Sequence, residues 1–250
     1  MNNNNKDLLF LVPAYNEENR IPKNDYFKNL GKYATVCFVN DGSSDMTKNI
    51  LTELAQSING QVIDLPKNVG KAEAIRQGYL TVAKNQKLEF VGFIDADSAF
   101  SGIAVENFIF KSLEYLREDS SYKCIISSRI KLSGRNIKRS TFRHYISRIL
   151  ITLIGFTVPN LPYDSQSGLK IFRNSPELRN AMSKPFKTRW FFDIELLIRT
   201  NWLASGKVWE EPVLEWRDVA GSHLSLRKAP RLIVEIIRVL RIGRNSRKIS

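Results

Sequence analysis

The stretch Phe90-Val91-Gly92-Phe93-Ile94-Asp95-Ala96-Asp97 is an apolar run that ends in two carboxylates one residue apart. Five such residues predict a buried strand, and a buried strand of this kind belongs to a parallel sheet. Alternation along an extended chain puts residues i and i+2 on one face, so Asp95 and Asp97 can converge where the strand stops. Paired hard oxygens suit Mg2+ or Mn2+, a cation that would neutralise a diphosphate as charge develops on a leaving group.

On either side the same cycle repeats: a short β-rich run, turn residues, then a helical pattern. Strands are predicted at Leu8–Val12, Thr35–Val39, Gln61–Leu65 and Cys124–Ser128, and helices at Ser44–Ser57, Lys71–Lys84 and Ala104–Arg117. This is an α/β pattern, a mostly parallel central sheet flanked by helices, and ligands bind such sheets at the carboxyl ends of the strands. Three more loops fall at that edge. In Val12-Pro13-Ala14-Tyr15-Asn16-Glu17, Pro13 ends the strand, Tyr15 offers a flat face for a base and Glu17 offers acceptors. In Asn40-Asp41-Gly42-Ser43-Ser44, Gly42 permits a sharp turn, Ser43 or Ser44 can cap the next helix, and Asp41 is placed to meet a base or ribose. Lys67-Asn68-Val69-Gly70-Lys71 lacks the first glycine, the spacing and the Ser/Thr of a P-loop, which excludes a Walker-type ATPase.

The chain has 250 residues, 43% of them apolar and 25% charged, enough to fold around one core. Its net charge of +13 concerns partners and not fold: nucleic acid, anionic lipid or phosphorylated substrates. No aromatic RNA-binding pattern, zinc-ligand set or recognition helix accompanies the charge, so a nucleic-acid partner is not expected. Cys37 and Cys124 each sit in an apolar β-like run and read as buried thiols. The longest apolar stretch, Ile149 to Val158, falls short of the roughly 20 residues a spanning helix needs.

The second half differs. Lys138 to Thr157 is basic and amphipathic: Phe142, Ile146, Ile149, Leu150 and Leu153 recur at helical spacing beside Arg139, Arg143 and Arg148. Either the stripe packs in the core, or the helix lies in a membrane interface with its arginines near lipid phosphates. A strand at Leu169–Phe172, a helix near Phe191–Ala204, a strand near Val208–Val213 and a helix from Ala229 to Ile242 follow. The last presents Leu232, Ile233, Ile236, Ile237 and Leu240 on one face.

Together with the loops above, Asp164-Ser165-Gln166-Ser167-Gly168-Leu169-Lys170, Arg189-Trp190-Phe191-Phe192-Asp193-Ile194-Glu195, Glu211-Pro212-Val213-Leu214-Glu215-Trp216 and Gly221-Ser222-His223-Leu224 resemble glycosyltransferase family 2. Within it the chain resembles the polyprenyl-phosphate sugar synthases, the dolichyl-phosphate β-glucosyltransferase group above all. The likeness spans about residues 8 to 242 and implies a GT-A fold, residues 1–228, with 138–158 as an interfacial helix and 229–250 as a basic helix and tail. It implies an inverting transfer of a hexose, glucose, from a UDP-sugar to a dolichyl or undecaprenyl phosphate. Pro13, Tyr15, Glu17 and Asp41 would hold the uridine, Lys71 and Arg129 would lie near the diphosphate, and Asp95 with Asp97 would carry Mg2+ or Mn2+.

By the same resemblance Asp164, Asp193 and Glu195 would be catalytic, facing sugar and acceptor. An acceptor phosphate is already an anionic nucleophile, so Arg139, Arg143 and Lys170 would matter as its positioners. A polysaccharide hydroxyl as acceptor and a nucleotidyl transfer on a similar fold are the competing readings. Three departures stand out: Asn40 where the family's usual motif has a first aspartate, Ala99 where mannosyl enzymes carry a glutamine, and no N-terminal anchor. The expected location is the cytoplasmic face of a membrane, held peripherally.

Overall fold

In the computed structural model, residues 7–22, 24–83, 88–219 and 229–247 are described. Seven strands form one sheet: β1 (Leu8–Ala14), β2 (Thr35–Asn40), β3 (Gln61–Asp64), β4 (Phe90–Ile94), β5 (Cys124–Ser128), β7 (Leu169–Arg173) and β8 (Val208–Pro212), in the order β3-β2-β1-β4-β7-β5-β8. All pairings are parallel except those of β7, which runs antiparallel to both β4 and β5. A small parallel pair, β6 (Asn136–Lys138) with β9 (Glu215–Arg217), lies apart; neither was expected, being three residues each and without alternation.

Strand periodicity divides the core. Leu8, Phe10, Val12, Phe38, Phe90 and Ile94 pack on α1 (Tyr26–Leu30), α2 (Thr47–Ser57) and α4 (Gly102–Glu118). Leu9, Leu11, Cys37, Val39, Val91 and Phe93 face the other way, onto α3 (Lys71–Gly78), α6 (Pro176–Ser183) and α7 (Phe192–Arg199). With Phe10, Phe38 and Phe90 all 0% exposed, each ring contributes roughly 2 kcal/mol through burial alone. Both cysteines are buried and free, as expected.

Several expectations shift. β1 continues through Pro13 to Ala14; β4 pairs with it only as far as Leu11, so beyond that point the imino residue has a strand neighbour on one side, β2, alone. The helix expected at Lys71–Lys84 runs as α3 into a π-helical turn, Tyr79–Ala83, and Lys84 lies outside the described residues. Helix α5 (Thr141–Gly155) turns Ile151 and Ile154 inward but leaves Tyr145, Ile149, Leu153 and Phe156 exposed. Helix α8 (Ala229–Arg247) buries Glu235 and Val239 and leaves Ile233, Val234 and Ile237 in the open, so its inward face is rotated from the one expected. The Gly221–Leu224 motif, Met1–Lys6 and Lys248 lie outside the described residues, as do the side chains of Phe142, Arg143, Arg231 and Arg247. Among the described residues no helix is long and apolar enough to cross a membrane.

Candidate functional site

The carboxyl ends of β1, β2 and β4 open into a cavity of about 590 Å³. Its floor is built by loops tied to one another. Ser43 Oγ accepts from the Asn16 amide (3.1 Å) and the Ser44 amide donates to Asn16 Oδ1 (2.9 Å). These serines therefore stitch two loops together and do not cap α2, whose first residues are served instead by Asp45, accepting from the Thr47 amide at 3.0 Å. Gly42, at φ +65°, lies so close to the next loop that a Cβ would stand 2.3 Å from the Lys67 carbonyl carbon. Asp41 completes the bracing: it accepts from the amides of Val69 (2.7 Å) and Gly70 (2.8 Å) and from Asn68 Nδ2 (3.0 Å). Burial raises its pKa, and the two amides oppose the rise.

Asp95 and Asp97 both line the cavity, on the turn after β4 and not on the strand itself. Ser98, next in the chain, sits at φ 49°, a backbone strained for a residue with a Cβ. Asp95 pairs with Lys71. Burial opposes the Lys71 charge, but Asp95, Asp193 and Asp97 outweigh it and raise its pKa. Asp97 takes Arg20 at 2.5 Å, and Arg20 also holds Glu17 Oε1 at 2.9 Å. Gly168 makes room for this corner: a Cβ there would stand 2.1 Å from Asp95 Oδ2.

The corner is richer in negative charge than its pairing satisfies. Burial, then the charge of Asp95, raises the pKa of Asp97 against Arg20 and Lys71. Burial, opposed by Arg20 and reinforced by Asp97 and Asp95, lifts Glu17 to about 7. Glu17 Oε2, Arg20 Nε and the Tyr26 hydroxyl are all buried without hydrogen-bond partners. Among the described residues no three acidic, His or Cys side chains are grouped to hold a metal on their own. Two carboxylates with the rest of the shell from phosphate oxygens and water is the usual arrangement for Mg2+, and the donor set fits it.

Of the residues singled out from sequence, Pro13, Tyr15, Glu17, Asp41, Lys71, Asp95, Asp97, Arg129, Arg139 and Asp193 line this one cavity. Three others do not. Asp164 is spent behind the wall, accepting from Arg129 Nε and Nη2 at 2.6 Å each and from its amide at 2.9 Å; Arg129, first among the opposing charges, holds its pKa down at about 2 in spite of burial. Glu195, 1% exposed, accepts from the amides of Lys187 and Thr188, the Thr188 hydroxyl and Arg199. Lys170, also 1% exposed, lies under the site and bonds Asp193 Oδ1 at 2.7 Å. Each lost its place for one reason: a buried charge must be paired, and the partner was in the framework. Arg143 lies on α5 with its side chain outside the described residues.

The structure adds wall residues that the sequence did not single out: Arg20, Asn68, Gln166, Arg189, Trp190 and Trp216. The Arg129 guanidinium lies over the Trp216 ring, 5.0 Å from its centroid. Arg139 has its pKa lowered by burial and by the Arg129 charge, so the two arginines make a region that favours anions. Only Arg20 had a local signal, its spacing of three from Glu17.

Comparison with known proteins agrees with this geometry. Residues 10–176 match the model of glycosyl transferase family 2. A dolichyl-phosphate beta-glucosyltransferase of Trichomonas vaginalis is 30% identical over 93% of this chain and 72% of its own length. The human dolichyl-phosphate beta-glucosyltransferase is 31% identical over 88% and 70%. The fold is shared with the Pyrobaculum calidifontis mannosyltransferase solved with GDP-Man and Mn2+, at a TM-score of 0.59 and 15% identity over 96% of this chain and 69% of that one. Sequence and fold agree: the chain belongs to glycosyl transferase family 2 and is a glycosyltransferase with a GT-A fold.

Proposed function

We propose that this enzyme transfers glucose, with inversion, from UDP-glucose to a polyprenyl phosphate at a membrane surface. One observation carries the reading: a single cavity holds an acidic corner suited to a cation and its diphosphate, and a pair of arginines, Arg129 and Arg139, suited to a second phosphate. A hydroxyl acceptor would need a base, whereas a phosphate is nucleophilic as it stands. Two of the three acids expected to be catalytic, Asp164 and Glu195, have their oxygens committed to the framework, which fits an acceptor that has no proton to lose. The names of the two relatives point to the same chemistry.

In this reading Tyr15, Glu17 and Asp41 receive the uridine, Pro13 shapes the pocket floor, and Lys71 meets the diphosphate. Asp95 and Asp97 hold Mg2+ or Mn2+, which supplies charge neutralisation for the departing UDP. The exposed apolar residues Tyr145, Ile149, Leu153 and Phe156 on α5, with Ile233 and Ile237 on α8, form the lipid-facing side of the molecule. Arg139 and Arg148 of the α5 region, and the net charge of +13, draw it to the anionic cytoplasmic leaflet. Residues 1–228 are thus the catalytic domain and 229–250 a basic helix and tail.

The test is transfer of radiolabelled glucose from UDP-glucose into an organic phase containing polyprenyl phosphate, with Mn2+, Mg2+ or chelator. Lipid-extractable, mild-acid-labile label that depends on the cation is the expected result. Label that stays in water-soluble polysaccharide, or release of pyrophosphate in place of UDP, would reject the reading.

A further inference from the structure

Lys170 sits in the middle of β7, between β4 and β5, with its side chain 1% exposed. Its neighbours along the strand, Leu169, Ile171 and Phe172, are apolar and fully buried, so an aliphatic residue would pack there without desolvating a charge. A buried ion pair is a weak source of stability, because dehydration of both ions offsets their attraction. The ammonium lies 5.1 Å from the centroid of the Phe93 ring and donates to the Ser167 carbonyl and to Asp193 Oδ1.

Asp193 belongs to the first turn of α7 and lines the cavity. Lys170 claims one of its oxygens, and among the described residues the other has no hydrogen-bond partner. The Asp193 charge also reaches Lys71, the cation paired with Asp95, so this carboxylate stands at the diphosphate end of the cavity. A carboxylate fixed by one oxygen from below presents the other in a defined direction.

We propose that Lys170 is a positioning residue of the transfer reaction: it acts through Asp193, holding that carboxylate so that its free oxygen accepts a hydrogen bond from a hydroxyl of the transferred sugar. The assignment rests on the proposed donor chemistry, not on the identity of the acceptor.

Four proteins test it: wild type, Lys170→Met, Asp193→Asn and the double variant, each measured for UDP affinity, melting temperature, and kcat and KM with UDP-glucose. Slow hydrolysis of UDP-glucose is followed beside transfer to polyprenyl phosphate, so the coupling is read whichever acceptor is used. Asp193→Asn is expected to lower kcat about 100-fold with UDP affinity within about twofold. Lys170→Met is expected to lower kcat at least about tenfold and to lower the melting temperature, because it strands a buried carboxylate. The double variant, with both charges gone, is expected to melt closer to wild type while its kcat falls no further than that of Asp193→Asn.

Multiplying kcat losses in the double variant, or a wild-type kcat in Lys170→Met, would overturn the proposal. So would a fully active Asp193→Asn, with transfer to lipid phosphate left standing. Hydrolysis that shows the coupling with no transfer to polyprenyl phosphate would instead reject the acceptor and keep Lys170.

Discussion

The acidic residues of the first half and those of the second half look alike in sequence and have opposite fates. Glu17, Asp95 and Asp97 stand at the open edge of the sheet, each paired with one cation and still facing the cavity. Asp164, Glu195, Glu210 and Glu235 are consumed in the framework: Glu210 accepts from the Tyr163 and Asp164 amides, and Glu235 from those of Arg189 and Trp190. The difference lies in what the strands leave behind. Parallel strands end together and throw their next residues into a common opening, whereas the second half, with β7 reversed, must anchor long irregular loops whose amides need acceptors. Rim carboxylates are thus expected to govern turnover, and framework carboxylates to govern stability.

Asp97→Ala should test the rim most severely. Loss of a cation ligand is expected to lower kcat about 1,000-fold, or about 4 kcal/mol, with the melting temperature little changed. Calorimetric titration of Mn2+ in the presence of UDP should show its binding greatly weakened. A variant with wild-type turnover would remove the acidic corner from the mechanism.

Asp164→Ala is the framework counterpart. It leaves Arg129 buried without its carboxylate, at a cost of about 3–5 kcal/mol in unfolding free energy measured by urea denaturation. The folded fraction should keep its affinity for UDP. Acid supplies an independent reading: the Asp164 pKa, about 2 when folded, lies below the ordinary 3.8, so its contribution is present above about pH 4 and is lost as pH falls toward 2. A variant that unfolds with the same acid dependence as wild type would show that the pair does not brace the fold.

Gly168→Ala crosses the comparison, since a framework residue is altered to disturb a rim carboxylate. The added methyl would overlap Asp95 Oδ2, and a displacement of about 1 Å is expected to lower kcat about 100-fold. The melting temperature should fall by only a few degrees. Its kinetics separate a crowded Asp95 from general loosening: KM for UDP-glucose and kcat should both suffer while the fold persists.

How much of this was legible in the sequence follows the same division. β4 and β5 were expected at their observed limits, because buried parallel strands are short apolar runs closed by turn residues. The cavity wall of the first half was equally legible: Tyr15, Glu17, Asp41, Lys71, Asp95 and Asp97 follow strand ends directly. The five-residue α1 and the three-residue strands β6 and β9 carry too little periodicity to be seen. Asp164, Glu195 and Lys170 were read as site residues because a motif records which residues occur together and not which way they point. Orientation was decided by Arg129, Arg199 and Asp193, partners 35, 4 and 23 positions away.

The smallest effect concerns Glu17, the rim carboxylate closest to the solvent pH. Burial lifts its pKa from 4.5 to about 7, so the folded protein favours the neutral acid. The sign for stability follows: between about 4.5 and 7 the folded state holds a proton that the unfolded state has released, so this contribution to stability falls as pH rises through that window. Activity runs the other way if the ionised form serves the site, since an acceptor for ribose or base donors must be deprotonated to be strong. Wild-type kcat/KM for UDP-glucose is therefore expected to decline below about pH 7, and Glu17→Gln to flatten that limb while lowering the plateau several-fold. The same variant should lose the downward slope of melting temperature across pH 5 to 7. Opposite pH slopes for stability and activity, both abolished by one amide, would mark Glu17 as a rim group; a flat wild-type profile would place it with the framework.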